Sequence, residues 1–314
     1  MSDPLARLQL KPAQLRLILR IAETGRLQQA ASACAMTQPA ASRMLAETER
    51  QLGAPLFLRL PTGMSPTEIG AAVLRRARTI LREMGNMAAD VTALRGGHAG
   101  SVHVGAVTGP AVGYLVPAIR EIKHEMPEAD ITVDVMPSRD LLGHLTTGEM
   151  DFALARILPE FDSRDFEILP MRDEKVAFCT RAGHPLARAP MVTLTELAEY
   201  EWIMQQRGAP IREATLEAFA SVGLPEPRNI VSSASIVFTM AYLAESNAVA
   251  SVSEEVGLLL KRAPVGAGFA LLECQREIRV APYFLLNLRR RPLSQLAQRV
   301  RARVIEKTGL APPA

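Results

Sequence analysis

Residues 37–52, TQPAASRMLAETERQL, combine three hydrogen-bonding side chains with a helix that could present them. Gln38, Ser42 and Arg43 carry an amide, a hydroxyl and a guanidinium within about a turn and a half of helix. These groups donate to and accept from polar or anionic partners, and no histidine or carboxylate stands beside them to activate a nucleophile. The stretch therefore indicates recognition of a polar or anionic partner rather than catalysis.

Local signals explain how this stretch is positioned. Thr37 can cap the helix, and Pro39 is tolerated in the first turn because its missing N–H needs no partner there. Gly53 ends the helix. One inward stripe is predicted at i, i+4, i+7 and i+11, formed by Ala41, Leu45, Thr48 and Leu52. The three hydrogen-bonding side chains lie off this stripe and should face outward.

Short elements surround this helix. LKPAQLRLILRIAETG predicts a first helix that ends at Gly25, and the alanine-rich RLQQAASACA predicts a second that permits close helix packing. LFLRLPTGMSPT predicts a hairpin with strands from Leu56 to Leu60 and from Met64 to Thr67. The front of the chain is thus a small helical unit with one hairpin.

A long helix with a heptad seam is predicted over residues 67–95. Its apolar residues alternate spacings of four and three, as a coiled-coil seam does: Val73, Ala77, Ile80, Met84, Met87, Val91 and Leu94. The seam on an arginine-rich helix favours a partner helix from a second chain. The alternative is a long helix packed on its own domain. RGGHAGS then breaks the helix and predicts a linker.

From residue 101 the pattern changes to strands alternating with helices. SVHVGAV, ITVDVM, DFALAR and KVAFCT read as strands with helical segments between them, which predicts parallel-sheet α/β units. RVAPYFLLNL, over 279–288, reads as one late strand, and LSQLAQRVRARVIEKTG predicts a final helix.

Charge separates the front of the chain from its body. Residues 1–95 carry 13 Lys and Arg against seven Asp and Glu, a net charge of +6, whereas the remaining residues carry a net charge of −3. A basic front end on a mildly acidic body favours a polyanionic partner for the front.

No motif for catalysis, metal binding or membrane insertion is found. Cys34, Cys179 and Cys274 are far apart, and the five histidines are scattered without metal-ligand spacing. Gly266 and Gly268 begin a Gly-x-Gly, but Leu271 occupies the third glycine position of a dinucleotide loop. We find neither a signal peptide nor an apolar run of about 20 residues. We therefore expect a cytoplasmic protein that is not an enzyme and uses no cofactor or metal.

The front of the chain resembles the winged helix-turn-helix of LysR-type transcriptional regulators. The matching run is AETGRLQQAASACAMTQPAASRMLAETERQLGAPLFLR, followed by TGMSPTEIG. Some residues depart from the family pattern. Arg26 and Leu27 replace Ser-Phe. Ala41 and Thr48 replace leucines of the inward stripe, which we expect to loosen the small core. The matching positions are Gly25, Ala30, Ala31, Thr37, Gln38, Pro39, Ala40, Ser42, Leu52, Gly53, Leu56, Phe57, Arg59, Gly63, Thr67 and Gly70.

This resemblance implies a DNA-binding role for the outward face of the third helix, because such a helix enters the major groove N-terminus first. A glutamine amide can bond adenine N6 and N7 together, which suits Gln38, while serine and arginine can reach bases or phosphates. The preceding helix and the wing would contact the DNA backbone. The expected DNA-binding residues are Gln28, Gln29, Thr37, Gln38, Ser42, Arg43, Arg59 and Thr62.

The remainder resembles the two-lobed effector domain of the same family, which is similar to a periplasmic binding protein. Its ligand should lie between the lobes, where strands end and helices begin. The expected effector residues are Thr108, Ser138, Arg156, Gln206, Ser232, Ser233 and Ser235. Hydroxyls, amides and one arginine suit a small polar ligand such as a sugar, a carboxylate or a polar aromatic. MRDEKVAFCTRAGHPLA resembles the galactose-binding-protein-regulator subgroup. Among these ligands this resemblance favours a sugar.

The sequence as a whole predicts a DNA-binding transcriptional regulator. The fold class is an N-terminal all-α winged helix-turn-helix with a long linker helix, followed by a C-terminal α/β two-lobed effector domain similar to a periplasmic binding protein. Expected boundaries are 1–66 for the DNA-binding domain, 67–95 for the linker helix, 101–170 with 279–308 for lobe I, and 171–278 for lobe II.

The expected partners are double-stranded DNA and a small-molecule effector. Further copies of the chain should form a homotetramer built as a dimer of dimers. RNA polymerase is a further partner if the protein activates transcription, and no membrane is expected.

Two alternative functions stay open at this point. One is a DNA-binding structural or autorepressor protein whose second domain binds no ligand. The other is a binding protein of the solute-receptor type, which the basic front disfavours.

Overall fold

A computed structural model of the chain describes residues 9–94, 100–262 and 268–309. Residues 95–99 of the predicted linker and Gly266 lie outside these residues, as does the side chain of Leu94. The last linker residue, Ser101, begins a strand. Among the described helices none is both long and apolar enough to cross a membrane.

The N-terminal unit contains three short helices, a hairpin and a long helix. In chain order these are α1 (Pro12–Thr24), α2 (Leu27–Ala33), α3 (Gln38–Leu52), β1 (Phe57–Leu60), β2 (Gly63–Pro66) and α4 (Glu68–Leu94). Leu60 pairs with Gly63, so the hairpin turn is two residues long and Gly63 belongs to a strand rather than to the turn. Gly63 has φ 139°, and a Cβ there would lie 2.5 Å from the carbonyl oxygen of Gly25. The neighbouring N–H of Met64 donates to the same carbonyl (2.7 Å), which holds the hairpin against the end of α1.

The inward stripe of α3 packs as its spacing predicts. Ala41, Leu45 and Thr48 are buried, and Leu52 is half-buried. The polar Thr48 does not leave an unpaired group in this core. Its hydroxyl donates to the carbonyl of Met44 (2.7 Å) and accepts from the side-chain amide of Gln14 (3.2 Å). The hydroxyl of Thr48 and the amide of Gln14 thus pair with each other inside this core, as buried polar groups normally do. That the core is loosened stays a prediction.

The long helix α4 uses three faces. Ala77 of the heptad seam is fully buried against the N-terminal core, together with the off-seam Leu74. The later seam residues Ile80, Met84, Met87 and Val91 are 40–61 % exposed. A third face contacts the C-terminal part of the chain. There, the Thr79 hydroxyl donates to the carbonyl of Thr147 (3.2 Å).

The first lobe is a five-stranded sheet covered by helices. Its first elements are β3 (Ser101–Ala106), α5 (Thr108–Pro110), a π-helical turn (Ala111–Leu115), α6 (Val116–Glu125), β4 (Asp130–Val135), α7 (Ser138–Thr146), β5 (Phe152–Ala155) and β6 (Phe166–Pro170). The second lobe follows, and the chain then returns to add one more strand and the last helix to the first.

The second lobe is a sheet of the same kind. Its elements are β7 (Glu174–Arg181), α8 (Leu194–Ala198), β8 (Trp202–Met204), α9 (Pro210–Ser221), β9 (Ile230–Ser232), α10 (Ile236–Glu245), β10 (Val249–Ser253), α11 (Glu254–Lys261), β11 (Phe269–Leu272) and β12 (Arg279–Val280). The returning elements of the first lobe are β13 (Phe284–Leu288) and α12 (Gln295–Thr308).

Both sheets are mixed rather than purely parallel. The first has the order β4-β3-β5-β13-β6, and the second β11-β7-β10-β8-β9 with β12 also on β7. The consecutive strands β3, β4 and β5 pair in parallel, as predicted. The strands β8, β9 and β10, which the sequence analysis did not single out, also pair in parallel. The strands that cross between lobes, β7 and β13, are antiparallel to their neighbours. The expectation of parallel units is therefore wrong for these strands, because a strand entering from the other lobe arrives from the opposite end.

The predicted single strand over 279–288 is two strands in different lobes. Arg279 and Val280 pair with β7 of the second lobe, whereas β13 lies between β5 and β6 of the first. Pro282 stands in the crossing segment, where a missing N–H interrupts no ladder. Residues 279–280 thus belong with the second sheet, two residues beyond the expected lobe boundary.

Candidate DNA-reading helix and effector cleft

The outward side of α3 presents the hydrogen-bonding residues found in the sequence. Thr37 caps the helix by accepting from the backbone N–H of Ala40 (3.4 Å). Gln38 and Arg43 are exposed and Ser42 is half-buried. Within the described part of the chain these three side chains have no hydrogen-bond or ion-pair partner. Their donors and acceptors face solvent and can meet a partner without breaking internal contacts.

The two glutamates of α3 bind partners within the N-terminal unit. Glu47 forms an ion pair with Arg50 (2.6 Å), and hydrogen bonds from Arg50 and Gln51 lower the pKa of the Glu47 carboxyl to about 2. The Glu49 carboxylate accepts from the backbone N–H of Leu56 (2.7 Å), which ties α3 to the hairpin. Both residues lie in the C-terminal part of the helix, beyond the Gln38–Arg43 end. Their charges are therefore compatible with an anionic partner at the N-terminal end.

The other predicted DNA-binding residues are also accessible. Gln28 and Gln29 are exposed in the first turn of α2. Arg59 is exposed on β1, and Thr62 is exposed in the hairpin turn. Ala30, Ala31 and Ala41 are at most 1 % exposed and lie in one core, so small residues bring α2 and α3 into close contact.

In the first lobe the predicted effector residues stand at strand ends. Thr108 is exposed directly after β3. The Ser138 hydroxyl, at the start of α7, accepts from the backbone N–H of Arg156 (3.0 Å). The structure thus brings Ser138 and Arg156 together from two neighbouring connections.

Arg156 itself is already bound within the protein. Its guanidinium forms an ion pair with Glu174 and donates to the carbonyl oxygen of Ala281 (2.9 Å). Glu174 is 2 % exposed and begins β7, and Ala281 lies on the returning crossing segment. Arg156 therefore bridges the two segments that connect the lobes, and the expected cation for a ligand carboxylate is committed to this internal contact.

A second carboxyl group is buried close to this ion pair. A Cβ placed on Gly109 would lie 2.7 Å from a Glu174 carboxylate oxygen, 2.8 Å from the Ser253 hydroxyl and 3.0 Å from a Glu255 carboxylate oxygen. Burial, with Glu174 as a like charge nearby, raises the pKa of Glu255. The backbone of Gly109 thus fits closely against side chains of the second lobe, and a larger residue would require these side chains to move.

In the second lobe one of the predicted residues, Ser232, contacts a buried arginine. Gln206 is exposed after β8, and the Ser232 hydroxyl accepts from Arg212 (2.9 Å). Ser233 accepts from the backbone N–H of Ser235 (3.1 Å), and Ser235 caps α10 through the N–H of Phe238 (3.3 Å). Ser233 and Ser235 therefore already shape the turn that begins α10.

Arg212 is a residue that sequence reasoning missed. It is 2 % exposed and forms an ion pair with Glu226 (3.1 Å) while donating to the carbonyl of Gln205 (3.1 Å). A signal for its burial exists in the sequence, because Arg212, Thr215 and Phe219 follow one another at helical spacing on the buried face of α9.

Metal chemistry finds no support within the described ranges. They contain no group of three or more histidine, cysteine, aspartate or glutamate side chains that could hold a metal ion.

Comparison with known proteins identifies the family. Residues 12–71 match the family described as "Bacterial regulatory helix-turn-helix protein, lysR family", and residues 95–309 match "LysR substrate binding domain". The chain belongs to the LysR family of DNA-binding transcriptional regulators, with an effector-binding domain, and regulators of this family bind DNA and small-molecule effectors and form oligomers. This confirms the recognition of the family and the fold class.

The subgroup resemblance is also confirmed, because two similar relatives carry the name "HTH-type transcriptional regulator GbpR". The protein from Rhizobium radiobacter is 38 % identical over 78 % of this chain and 82 % of its own length. The protein from Azospirillum brasilense is 34 % identical over 92 % of this chain and 83 % of its own length. Among solved structures, full-length CbnR complexed with its target DNA superimposes with a TM-score of 0.69 at 21 % identity, covering 95 % of this chain and 100 % of that one.

Proposed function

We propose that the protein binds operator DNA as an oligomer, with α3 in the major groove, and responds to a small polar metabolite held between its lobes. The observation that carries the proposal is the exposed Gln38–Ser42–Arg43 face at the N-terminal end of α3. Groups that hydrogen-bond nothing inside the protein are available to base edges and phosphates at no internal cost.

Each predicted residue has a distinct part in this proposal. The Gln38 amide reads adenine through N6 and N7, and Ser42 and Arg43 reach bases or phosphates one turn later. Gln28 and Gln29 on α2, Thr37 at the cap of α3, and Arg59 and Thr62 on the hairpin contact the DNA backbone. Sequence preference thus depends on few side chains, and general affinity depends on the arginines.

Two substitutions separate these contributions. Gln38→Ala is expected to lower affinity for the operator by about 1–3 kcal/mol while hardly changing affinity for unrelated DNA. Arg43→Ala is expected to weaken binding to both DNAs and to reduce the slope of log affinity against log salt by about 1. Gel-shift titrations measure both effects. Arg50→Ala, on the same helix but paired with Glu47, is the matched control. Unchanged operator affinity in both variants would contradict the assignment.

The exposed part of the α4 seam supports an oligomer. Ile80, Met84, Met87 and Val91 form a row of exposed apolar side chains along α4. The same row on a second chain would cover it. We propose a dimer formed through this seam and a homotetramer formed from two such dimers.

Met87→Lys is expected to shift the protein to a smaller assembly, because a lysine replaces an apolar group worth about 1.5–3 kcal/mol on burial in each chain of the pair. Sedimentation velocity measures the change. Ala72→Lys, which adds a lysine at an exposed position of α4 outside the seam, is the control. Equal sedimentation of the two variants at the wild-type value would exclude the seam as an interface.

The cleft residues suit a neutral, hydroxyl-rich ligand. Both arginines near the cleft are neutralised inside the protein, Arg156 by Glu174 and Arg212 by Glu226. A ligand carboxylate would have to compete with these carboxylates, whereas a sugar can exchange hydrogen bonds with amides and hydroxyls. The proposed contacts are Thr108, Ser138, Gln206, Ser232, Ser233 and Ser235. We therefore favour a sugar, in agreement with the resemblance to the galactose-binding-protein-regulator subgroup.

Calorimetry distinguishes a sugar from an acid. Titration of the intact protein with monosaccharides is expected to give saturable heat, and Gln206→Ala is expected to weaken binding by up to about tenfold, since one hydrogen bond contributes about 0.5–1.5 kcal/mol. Gln295→Ala, at an exposed position at the start of α12, is the control. Heat with organic acids and none with sugars would contradict this assignment.

The proposal also covers the cellular setting. A cytoplasmic regulator meets chromosomal DNA directly, and one that activates transcription contacts RNA polymerase. Effector binding shifts the closure of the lobes, and through α4 this alters how the oligomer bends DNA.

A further inference from the structure

A cavity of about 700 Å³ lies on the first lobe, beside α12 and away from the proposed effector residues. One wall is the start of β6, and a second is one side of α12. The third is the segment 287–293, which begins at the end of β13 and runs towards α12. Small-molecule sites in proteins typically measure about 300–1,000 Å³. The cavity is thus large enough for a metabolite, and none of the seven predicted effector residues lines it.

The lining carries an excess of positive charge from four arginines. Among the described residues, the guanidinium of Arg289 donates only to the backbone carbonyls of Arg164 (3.3 Å) and Phe166 (3.0 Å), so these bonds do not neutralise its charge. Arg290 and Arg301 have no carboxylate partner among the described residues, and the Nε of Arg301 is buried without an acceptor. The fourth, Arg291, is paired with Asp151 and Glu83.

The two carboxylates of the lining do not cancel this charge. Glu306 is paired with Arg303 (2.9 Å), and Glu167 accepts from the side-chain amide of Asn287 (3.0 Å). Three guanidinium groups therefore line the cavity without an anionic partner in the described chain. Arginine forks match the oxygens of phosphate and bind them by charge-assisted hydrogen bonds.

Asn287 indicates a second feature of the ligand, a hydrogen-bond donor. It is 3 % exposed and lines the cavity, and its Nδ2 donates to Glu167, which fixes the orientation of the amide. Its Oδ1 is buried and accepts no hydrogen bond from the part of the chain that the structure describes. A buried acceptor is normally satisfied, so the group that completes this site should bring a hydroxyl or N–H donor.

We propose that this cavity is a second ligand site, for a small phosphorylated hydroxy compound whose phosphate is held by Arg289, Arg290 and Arg301 and whose hydroxyl donates to Asn287. The proposal is independent of the sugar proposed for the cleft.

The position of the cavity gives such a ligand access to the linker helix. Arg291 follows Arg290 directly, and its guanidinium contacts Glu83 of α4 (2.7 Å) and the carbonyls of Gly148 (3.0 Å) and Met150 (3.2 Å). A phosphate that draws in Arg290 acts on the segment that holds Arg291 against α4. The site is therefore placed to regulate the DNA-binding half of the chain.

Calorimetry on the intact protein at constant ionic strength tests the proposal. The probes are glucose 6-phosphate, ribose 5-phosphate and glycerol 3-phosphate, each beside its unphosphorylated parent and beside inorganic phosphate. We expect at least one ester to bind with one site per chain and at least about tenfold more tightly than inorganic phosphate, because only the ester also satisfies Asn287. Failure of all three esters to bind, or binding of inorganic phosphate as tight as that of the best ester, overturns the proposal.

Variants locate the binding. Arg290→Gln, at an exposed position that the fold does not need, and Arg301→Gln are each expected to weaken ester binding by about tenfold or more. Arg299→Gln, an exposed arginine of α12 outside the lining, should leave it unchanged. Equal losses in Arg299→Gln and Arg290→Gln, or loss in Arg43→Ala on the DNA-reading helix, overturn the assignment. Gln206→Ala should affect only binding of the parent sugar, so failure of one proposal is distinguishable from failure of the other.

Discussion

The buried carboxylate of Asp151 lies at the centre of the contacts that join α4 to the first lobe, beside the Arg78–Glu149 and Arg291–Glu83 ion pairs. Asp151 is 7 % exposed and accepts from Arg82 of α4 (3.1 Å), from Arg291 (3.2 Å) and from the backbone N–H of His103 (2.8 Å). A buried carboxylate is tolerated only when such donors surround it, and removal of one partner typically costs about 3–5 kcal/mol. The position of the linker helix on the first lobe therefore depends on this network.

This contact explains how one helix can serve three partners. Ala77 packs in the N-terminal core, Arg82 reaches Asp151 on the lobe, and Met87 lies on the exposed seam. A movement of the lobe that displaces Asp151 moves the same helix that carries the DNA-reading unit at one end. If α4 has two positions on the lobe, a ligand that favours one of them can change the position of the N-terminal unit on DNA. No separate connecting element is then needed.

The parts of the structure that depend on short-range pattern were predictable from the sequence. The α3 stripe follows from helical spacing, the Thr37 cap from a hydroxyl placed before Pro39, and the exposed seam from alternating spacings of four and three. The basic front end and the motif around Gln38 indicated α3 as the candidate DNA-reading helix. Those signals involve neighbours within one or two turns, which a single sequence displays directly.

The features that were missed depend on partners far apart in the chain. Arg156 is neutralised by Glu174, 18 residues away, and Arg82 by Asp151, 69 residues away. The antiparallel direction of β7 and β13 depends on which lobe the chain enters next. The periodicity of apolar residues does not predict this path. The cavity beside α12 combines β6, the 287–293 segment and α12, so its three unneutralised arginines become a cluster only on folding.

Amide hydrogen exchange across α4 in Asp151→Asn tests the central claim, that this carboxylate holds the linker helix on the lobe. The account predicts that amides of residues 75–83 exchange at least about tenfold faster than in the wild-type protein, since Arg82 and Arg291 lose their shared carboxylate. Asp134→Asn, which removes the half-buried partner of His103 on the same lobe, is the control and should leave these amides unchanged. Exchange of residues 75–83 at the wild-type rate in Asp151→Asn would contradict the account.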